Sequence, residues 1–121
     1  MRVRGILSAF REFPKGDRPL SNMEEGQYRE SRLCRLLGNP VVYRIVALLG
    51  ENGPLTPAAL GEKTGRSVQT VSGHLAKLRA MDVVRYETRG GKTLYWLKHG
   101  VEVEAVVKAL EKLVKACTRL R

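Results

Sequence analysis

The spacing of the apolar residues changes twice along the chain. From Glu24 to Met81 apolar positions recur every three or four residues, the spacing that places side chains on one face of an α-helix. After Asp82 apolar and polar residues alternate, as in a half-buried strand, and from Val103 onward the helical spacing returns. The pattern predicts a mainly α-helical fold with one small β-hairpin before its last helix.

Start and stop signals divide the helical region into four predicted helices. A proline is tolerated in the first turn of a helix. A hydroxyl side chain just before the first helical residue accepts hydrogen bonds from the free amides of that turn. Pro40, Pro57 and Ser67 therefore mark three helix starts. The predicted helices run from Glu24 to Leu37, from Pro40 to a stop formed by Gly50, Gly53 and Pro54, from Pro57 to Thr64, and from Ser67 to about Met81.

The third and fourth predicted helices form a helix-turn-helix that leads into the hairpin. The two helices are joined by a tight turn at Gly65, as in that motif. Val71, Leu75 and Leu78 are spaced four and three residues apart and are expected to face the core. The glycine pair at residues 90–91 predicts the hairpin turn, because both turn positions can take positive φ there.

The last predicted helix has a long apolar stripe. Its spacings of three and four residues approximate a heptad seam, the pattern by which helices pack side by side. We therefore expect this helix to pack on a partner chain as well as on its own domain. The stripe consists of Val103, Val106, Leu110, Leu113, Cys117 and Leu120.

Positive charge is concentrated in one segment of the chain. The 121 residues carry a net charge of +10, and residues 63–98 combine eight lysines and arginines with two acidic residues, a net of +6. A contiguous basic segment is expected of a surface that contacts nucleic-acid phosphates. A soluble basic protein without such a partner is the alternative that charge alone leaves open.

Several other function classes fit the sequence poorly. It has no glycine-rich phosphate loop and no Ser-His-Asp or Cys-His grouping, so we predict that it is not an enzyme. The apolar runs are too short to span a bilayer, and the run from Gly5 to Phe10 ends in charged residues, unlike a secretory signal. We therefore expect a cytoplasmic protein without a membrane partner, and we expect residues 1–22 to form a basic extension.

A motif in the fourth helix and the hairpin carries a family resemblance. The sequence from Ser67 to Arg79 is SVQTVSGHLAKLR, and it is followed by Asp82-Val-Val84, a basic glycine-glycine turn and Tyr95. In these residues, and in its layout from Leu36 to Leu97, the chain resembles the ArsR-type repressors, small dimeric winged-helix regulators. The resemblance implies a winged helix-turn-helix that dimerises through its terminal helices, with an extension at 1–22, a DNA-binding domain at 23–98 and a dimerisation helix at 99–121.

The resemblance also implies sequence-specific repression from an inverted-repeat operator that a homodimer binds on double-stranded DNA. The fourth helix would lie in the major groove as a recognition helix, and Gln69 is the expected base reader because its amide can pair with adenine. Arg79 is expected at a phosphate or in an ion pair with an acid, and His74 in a structural role. The expected DNA-binding residues are Arg66, Ser67, Val68, Gln69, Thr70, Ser72, Gly73, Lys77 and Arg79 of the helix, with Arg89 and Lys92 of the wing; the alternative is a capped, solvated helix face.

In proteins of this type the first and last helices meet at the dimer interface. Cys34 and Cys117 would then be close enough for a thiol switch, unless both are small buried hydrophobic side chains. The expected interface residues are Leu33, Val106, Leu110, Leu113, Cys117 and Leu120.

The metal-binding Cys-x-Cys positions of such repressors are occupied here by Thr56 and Ala58. We therefore expect no metal and no other cofactor, and the sequence identifies no effector. Two alternative functions stay open, a sequence-independent, chromatin-like DNA-binding protein and a winged-helix protein-interaction module.

Overall fold

The computed structural model describes residues 25–118, which form five helices and one antiparallel hairpin. This order confirms the predicted fold class, a mainly α-helical winged helix-turn-helix. The predicted extension at 1–22 and the predicted interface residue Leu120 lie outside the described residues. The elements are α1 (Glu25–Leu37), α2 (Pro40–Asn52), α3 (Pro57–Thr64), α4 (Val68–Ala80), β1 (Val84–Arg89), β2 (Lys92–Leu97) and α5 (Gly100–Thr118).

The chain divides into two compact units, and the second begins at Leu33. In the described part of the first unit, the Arg29 Nη2 atom lies 3.2 Å from the Glu25 Oε2 atom, one helical turn away. The Arg32 guanidinium lies over the Tyr28 ring, 5.8 Å from its centre. Both contacts join residues four positions apart, so they support the helix locally. The remaining elements belong to the second unit.

Three helices, α2, α3 and α4, begin where the sequence signals predict them, at Pro40, at Pro57 and after the cap residue Ser67. Asn39 Oδ1 accepts hydrogen bonds from the amides of Val41 and Val42, at 2.8 and 3.2 Å. Thr56 Oγ1 accepts one from the amide of Ala59 at 3.1 Å, ahead of Pro57. Each cap satisfies amides that the first turn of a helix leaves free.

Of the predicted stop residues Gly50, Gly53 and Pro54, Gly53 ends α2, whereas the helix continues through Gly50 to Asn52. A glycine inside a helix costs about 1 kcal/mol, which the packing of its neighbours can outweigh. Here the preceding residues Leu48 and Leu49 are buried in the core. Gly50 itself lies near β2, where an added Cβ would stand 3.7 Å from Leu97 Cδ1.

One hydrophobic core joins α2, α3, α4 and the base of the hairpin. Val71, Leu75 and Leu78 of α4 are fully buried, which confirms the predicted core stripe of this helix. Val83 and Val84 extend the core from the end of α4 into β1. The other buried members are Val42, Ile45, Val46, Leu48, Leu49 and Leu60.

The turn between α3 and α4 is packed against Gly61. The carbonyl oxygen of Gly61 accepts hydrogen bonds from the amides of Gly65 and Arg66, at 2.8 and 3.1 Å. A Cβ atom at Gly61 would stand 2.7 Å from the backbone oxygen of Arg66, closer than real Cβ contacts allow. The helix-turn-helix therefore depends on a residue without a side chain at position 61.

The hairpin turn has the predicted geometry. β1 and β2 pair from Val84 opposite Leu97 to Arg89 opposite Lys92, so residues 90–91 form a two-residue loop. Gly90 and Gly91 have φ of +56° and +79°, as the type I′ turn that fits the twist of a hairpin requires.

Asp82 connects the end of α4 to the hairpin. It is the one non-glycine residue between 25 and 118 with a positive φ, +64°. Its Oδ2 atom accepts a hydrogen bond from Lys98 Nζ at 2.6 Å, so Asp82, two residues before β1, is paired with the residue that follows β2. This bond is the main cause that lowers the pKa of Asp82 from its ordinary 3.8, and the nearby charges of Lys98 and Arg85 act in the same direction.

No single helix within residues 25–118 is long and apolar enough to cross a membrane. By length and composition α1 and α2 pass the same test only as a bent pair, and α2 supplies five of the eleven buried core residues.

Gly61→Ala is expected to lower the free energy of unfolding by about 1–3 kcal/mol, because the new methyl group overpacks the turn before α4. Gly73→Ala is the matched control, since nothing lies within 4 Å of a Cβ at this helical position. That change is expected to raise the free energy of unfolding by about 0.5–1 kcal/mol. Urea unfolding measures both, and a stabilised Gly61→Ala protein would contradict the close approach.

Asp82→Asn is expected to remove a pH-dependent part of the stability while keeping the turn, because asparagine also tolerates positive φ. Since the pKa of Asp82 is lowered, its stabilising effect is present above the ordinary value of 3.8 and is lost as the pH falls through the lower folded value. Urea unfolding between about pH 7 and pH 3 compares the two proteins. The difference in the free energy of unfolding between the wild type and Asp82→Asn should be constant near neutral pH and shrink in acid. The difference between the wild type and Lys98→Gln should depend on pH in the same way. A difference independent of pH would contradict the ion pair.

Candidate nucleic-acid interface

α4 presents one polar face to solvent because its opposite face is buried. Val71, Leu75 and Leu78 point into the core, which turns Gln69, Thr70, Gly73, Ala76 and Lys77 outward as exposed residues. Val68 is also exposed, at 49%, while Ser72 and His74 are half-buried at the edges of this face. We call the exposed surface of α4 the recognition face.

The hydroxyl groups at the start of α4 are bound to each other. Ser67 Oγ accepts a hydrogen bond from the Thr70 amide at 3.1 Å and donates one to Thr70 Oγ1 at 3.0 Å. Ser67 therefore caps the helix, as predicted. The same contact orients the Thr70 hydroxyl, whose second lone pair and proton are available to an external partner.

The predicted phosphate-binding side chains differ in what they already contact. Lys77 and Lys92 are exposed, and Arg66 donates a long hydrogen bond of 3.4 Å to the Gly65 carbonyl. Arg89 donates to Glu87 Oε2 from Nη2 at 2.7 Å and from Nε at 3.1 Å. The charge of Arg89 is therefore partly balanced within the hairpin, and DNA has to share or displace Glu87 to use it.

Arg79 makes a contact that the sequence did not predict. Its guanidinium lies over the Tyr86 ring, 4.9 Å from the ring centre. Tyr86 in turn stacks on Tyr95, with ring centres 5.4 Å apart and planes 27° from parallel. The alternation of the strands places both tyrosines on one face of the hairpin, but the approach of Arg79 depends on the angle between α4 and the hairpin, which no local pattern encodes.

α5 has an extended apolar surface that the other described residues, 25–99, leave uncovered. Val106, Leu110 and Leu113 are 45%, 37% and 57% exposed, and Val101 and Val114 are more exposed still. Within the described chain α5 contributes no fully buried residue. Leu33, by contrast, is half-buried against its own core. The predicted interface residues on α5 are therefore exposed and accessible to a partner, whereas Leu33 already packs against its own core.

Cys34 and Cys117 are both exposed in the single chain. Burial within one protomer therefore does not account for either side chain, and the thiol switch stays a prediction. Across residues 25–118 no three histidine, cysteine, aspartate or glutamate side chains come close enough together to hold a metal ion.

The comparisons with known proteins point to one class. Residues 37–87 match a helix-turn-helix domain family. The chain is 30% identical to HlyU, a transcriptional regulator from Vibrio vulnificus, covering 78% of this chain and 96% of that one with a TM-score of 0.61. HlyU from Vibrio cholerae is 26% identical, over 75% and 97% of the two chains, with a TM-score of 0.65.

A third structure shares the fold. The homodimeric winged helix-turn-helix DNA-binding domain of Mb0332 from Mycobacterium bovis, named as a possible ArsR-family transcriptional regulator, is 17% identical. It covers 80% of this chain and 95% of its own length, with a TM-score of 0.65. No curated protein sequence matches the chain.

Proposed function

Since this chain belongs to the winged-helix transcriptional regulators of the HlyU and ArsR type, we propose that it represses transcription by binding an inverted-repeat operator as a homodimer. Regulators of this class bind DNA and are not enzymes. The observation that carries the proposal is the recognition face, an exposed polar helix surface held outward by a fully buried stripe.

The recognition face has the size and chemistry for the major groove. That groove admits an α-helix, and the first residues of a recognition helix lie nearest the base edges. Gln69 and Thr70 occupy this position, and the amide of Gln69 can donate to and accept from one adenine. Gly73 has open space around it, so packing within the protein does not require a glycine there. We attribute it to a close approach of the duplex to the helix backbone.

Basic side chains on both sides of this face would contact phosphates. Arg66 precedes α4, Lys77 lies in its last turns, and Lys92 stands at the wing tip opposite Arg89. Such contacts position the protein without selecting a sequence, and each adds to the salt dependence of binding.

A second copy of the chain is the proposed cover for the apolar surface of α5. Two-fold symmetry through this helix would bring two recognition helices about 34 Å apart, one turn of the duplex. Two copies in this arrangement meet two half-sites in opposite orientation, which is why the operator is proposed to be an inverted repeat.

Gln69→Ala is expected to weaken operator binding by about 1–3 kcal/mol and to leave binding to random duplex nearly unchanged, because the lost contact is to a base. Lys77→Gln is the matched contrast, expected to weaken both complexes alike and to reduce the salt slope by about one. Fluorescence anisotropy on the operator, selected from genomic fragments, and on a random duplex measures all four affinities.

The same titrations separate the proposal from its alternatives. Wild-type affinity for the operator should exceed that for random duplex by about 10³ or more at physiological salt. Equal affinity for the two duplexes would instead favour a sequence-independent chromatin-like protein, and no affinity for either would reject both DNA-binding functions and leave the protein-interaction module.

Leu110→Glu is expected to abolish dimers and tight operator binding together, because it places a charge in the apolar surface of α5. Lys112→Gln makes the same change of net charge at an exposed position of the same helix and is expected to leave both properties unchanged. Sedimentation and anisotropy on the same samples measure the two effects. A folded Leu110→Glu monomer that still binds the operator tightly would contradict the dimer.

A further inference from the structure

We propose that Arg79 is a positioning residue that holds the wing against the recognition helix, and that it does so through Tyr86 and Tyr95 instead of binding a phosphate itself. The inference rests on the proposed function, because the wing matters for binding only if the protein binds DNA. It assigns a role to three side chains that connect α4 to the hairpin.

The first of the two contacts that connect α4 to the hairpin is between Arg79 and Tyr86. The guanidinium lies 4.9 Å from the ring centre, inside the range in which a cation is attracted to an aromatic face. The backbone beside it is fixed as well, since the Arg79 carbonyl accepts a hydrogen bond from the Asp82 amide at 2.9 Å. The side chain thus lies across the turn, over the Tyr86 ring of β1.

The second contact connects Tyr86 of β1 to Tyr95 of β2. Tyr86 and Tyr95 are directly opposite in the strand register and stack with ring centres 5.4 Å apart. Tyr95 is also bound through its backbone to Leu55, with N–H to oxygen distances of 2.9 and 3.0 Å in the two directions. Leu55 lies just before the cap of α3, so the wing is attached to α4 and to the segment that leads into α3.

The wing needs such an anchor on its β1 side, because β1 is mostly exposed whereas β2 is half-buried over five of its six residues. Among the residues of β1 only Val84 belongs to the core, and the other five are exposed. A hairpin of two strands is marginally stable without packing against another element. The Arg79–Tyr86–Tyr95 stack is the contact that joins β1 beyond Val84 to α4, and with the backbone pairing of Tyr95 and Leu55 it sets the direction of the tip, where Arg89 and Lys92 stand.

A double-mutant cycle on operator binding separates positioning from direct contact. Arg79→Gln is compared in the wild type and in a wing-neutralised background, Arg89→Gln with Lys92→Gln. We expect Arg79→Gln to weaken wild-type binding about two- to fivefold, the range for an exposed cation–π contact, and to have almost no effect in the neutralised background. The proposal would be overturned if Arg79→Gln weakened binding by the same factor in both backgrounds and also lowered the salt slope of the neutralised background by about one. That result would show a direct phosphate contact.

Two variants of Tyr86 provide matched controls. Tyr86→Phe keeps the ring and should leave operator affinity unchanged, whereas Tyr86→Leu should reproduce the loss seen with Arg79→Gln and should not add to it. Full additivity of Tyr86→Leu and Arg79→Gln would overturn the proposal.

The free protein provides a test that does not depend on DNA. Arg79→Gln should shift the NMR signals of the Tyr86 and Tyr95 rings and of the wing amides, while the amides of α2 stay in place. Unchanged wing amides would overturn the positioning role. A wild type that binds no DNA would instead remove the proposed function and leave the stack itself confirmed or refuted by these spectra.

Discussion

The burial of one face of α4 is the constraint on which the rest of the structure depends. A helix turns by about 100° per residue, so fixing Val71, Leu75 and Leu78 in the core also fixes the direction of every other side chain on it. Rotation by a single residue would expose a leucine and bury a polar group, which is costly. The outward direction of Gln69 and Lys77 is therefore a consequence of core packing, made without any contact to DNA.

The same core also sets where the wing begins. Val83 and Val84 are buried directly after the turn at Asp82, and the Lys98 amide donates to the Val83 carbonyl at 3.0 Å. Both ends of the hairpin are thus tied to one point at the end of α4. Farther out β1 is exposed while β2 stays half-buried, so side-chain contacts from α4 and β2 help to orient the exposed strand.

The sequence predicted those features that depend on neighbouring residues. Helix starts at Pro40 and Pro57 and the glycine hairpin turn are local in this sense, because a cap or a positive φ involves only a few consecutive residues. The predicted stop lies at Gly53, and α2 runs through Gly50 because burial across the core outweighed a local preference. Gly61 and the stack of Arg79 on Tyr86 were not predicted, since both depend on distances between separate elements.

The uncovered apolar surface of α5 has a consequence for the thermodynamics of the protein. If a second copy covers this surface, folding and association are one equilibrium, and the unfolding midpoint rises with protein concentration. The number of molecules in a cell would then set the fraction of paired recognition helices as well as the total amount of protein. At low concentration, operator occupancy by such a repressor rises more steeply than linearly with the concentration of chains. The reason is that two chains must associate before either can occupy an operator.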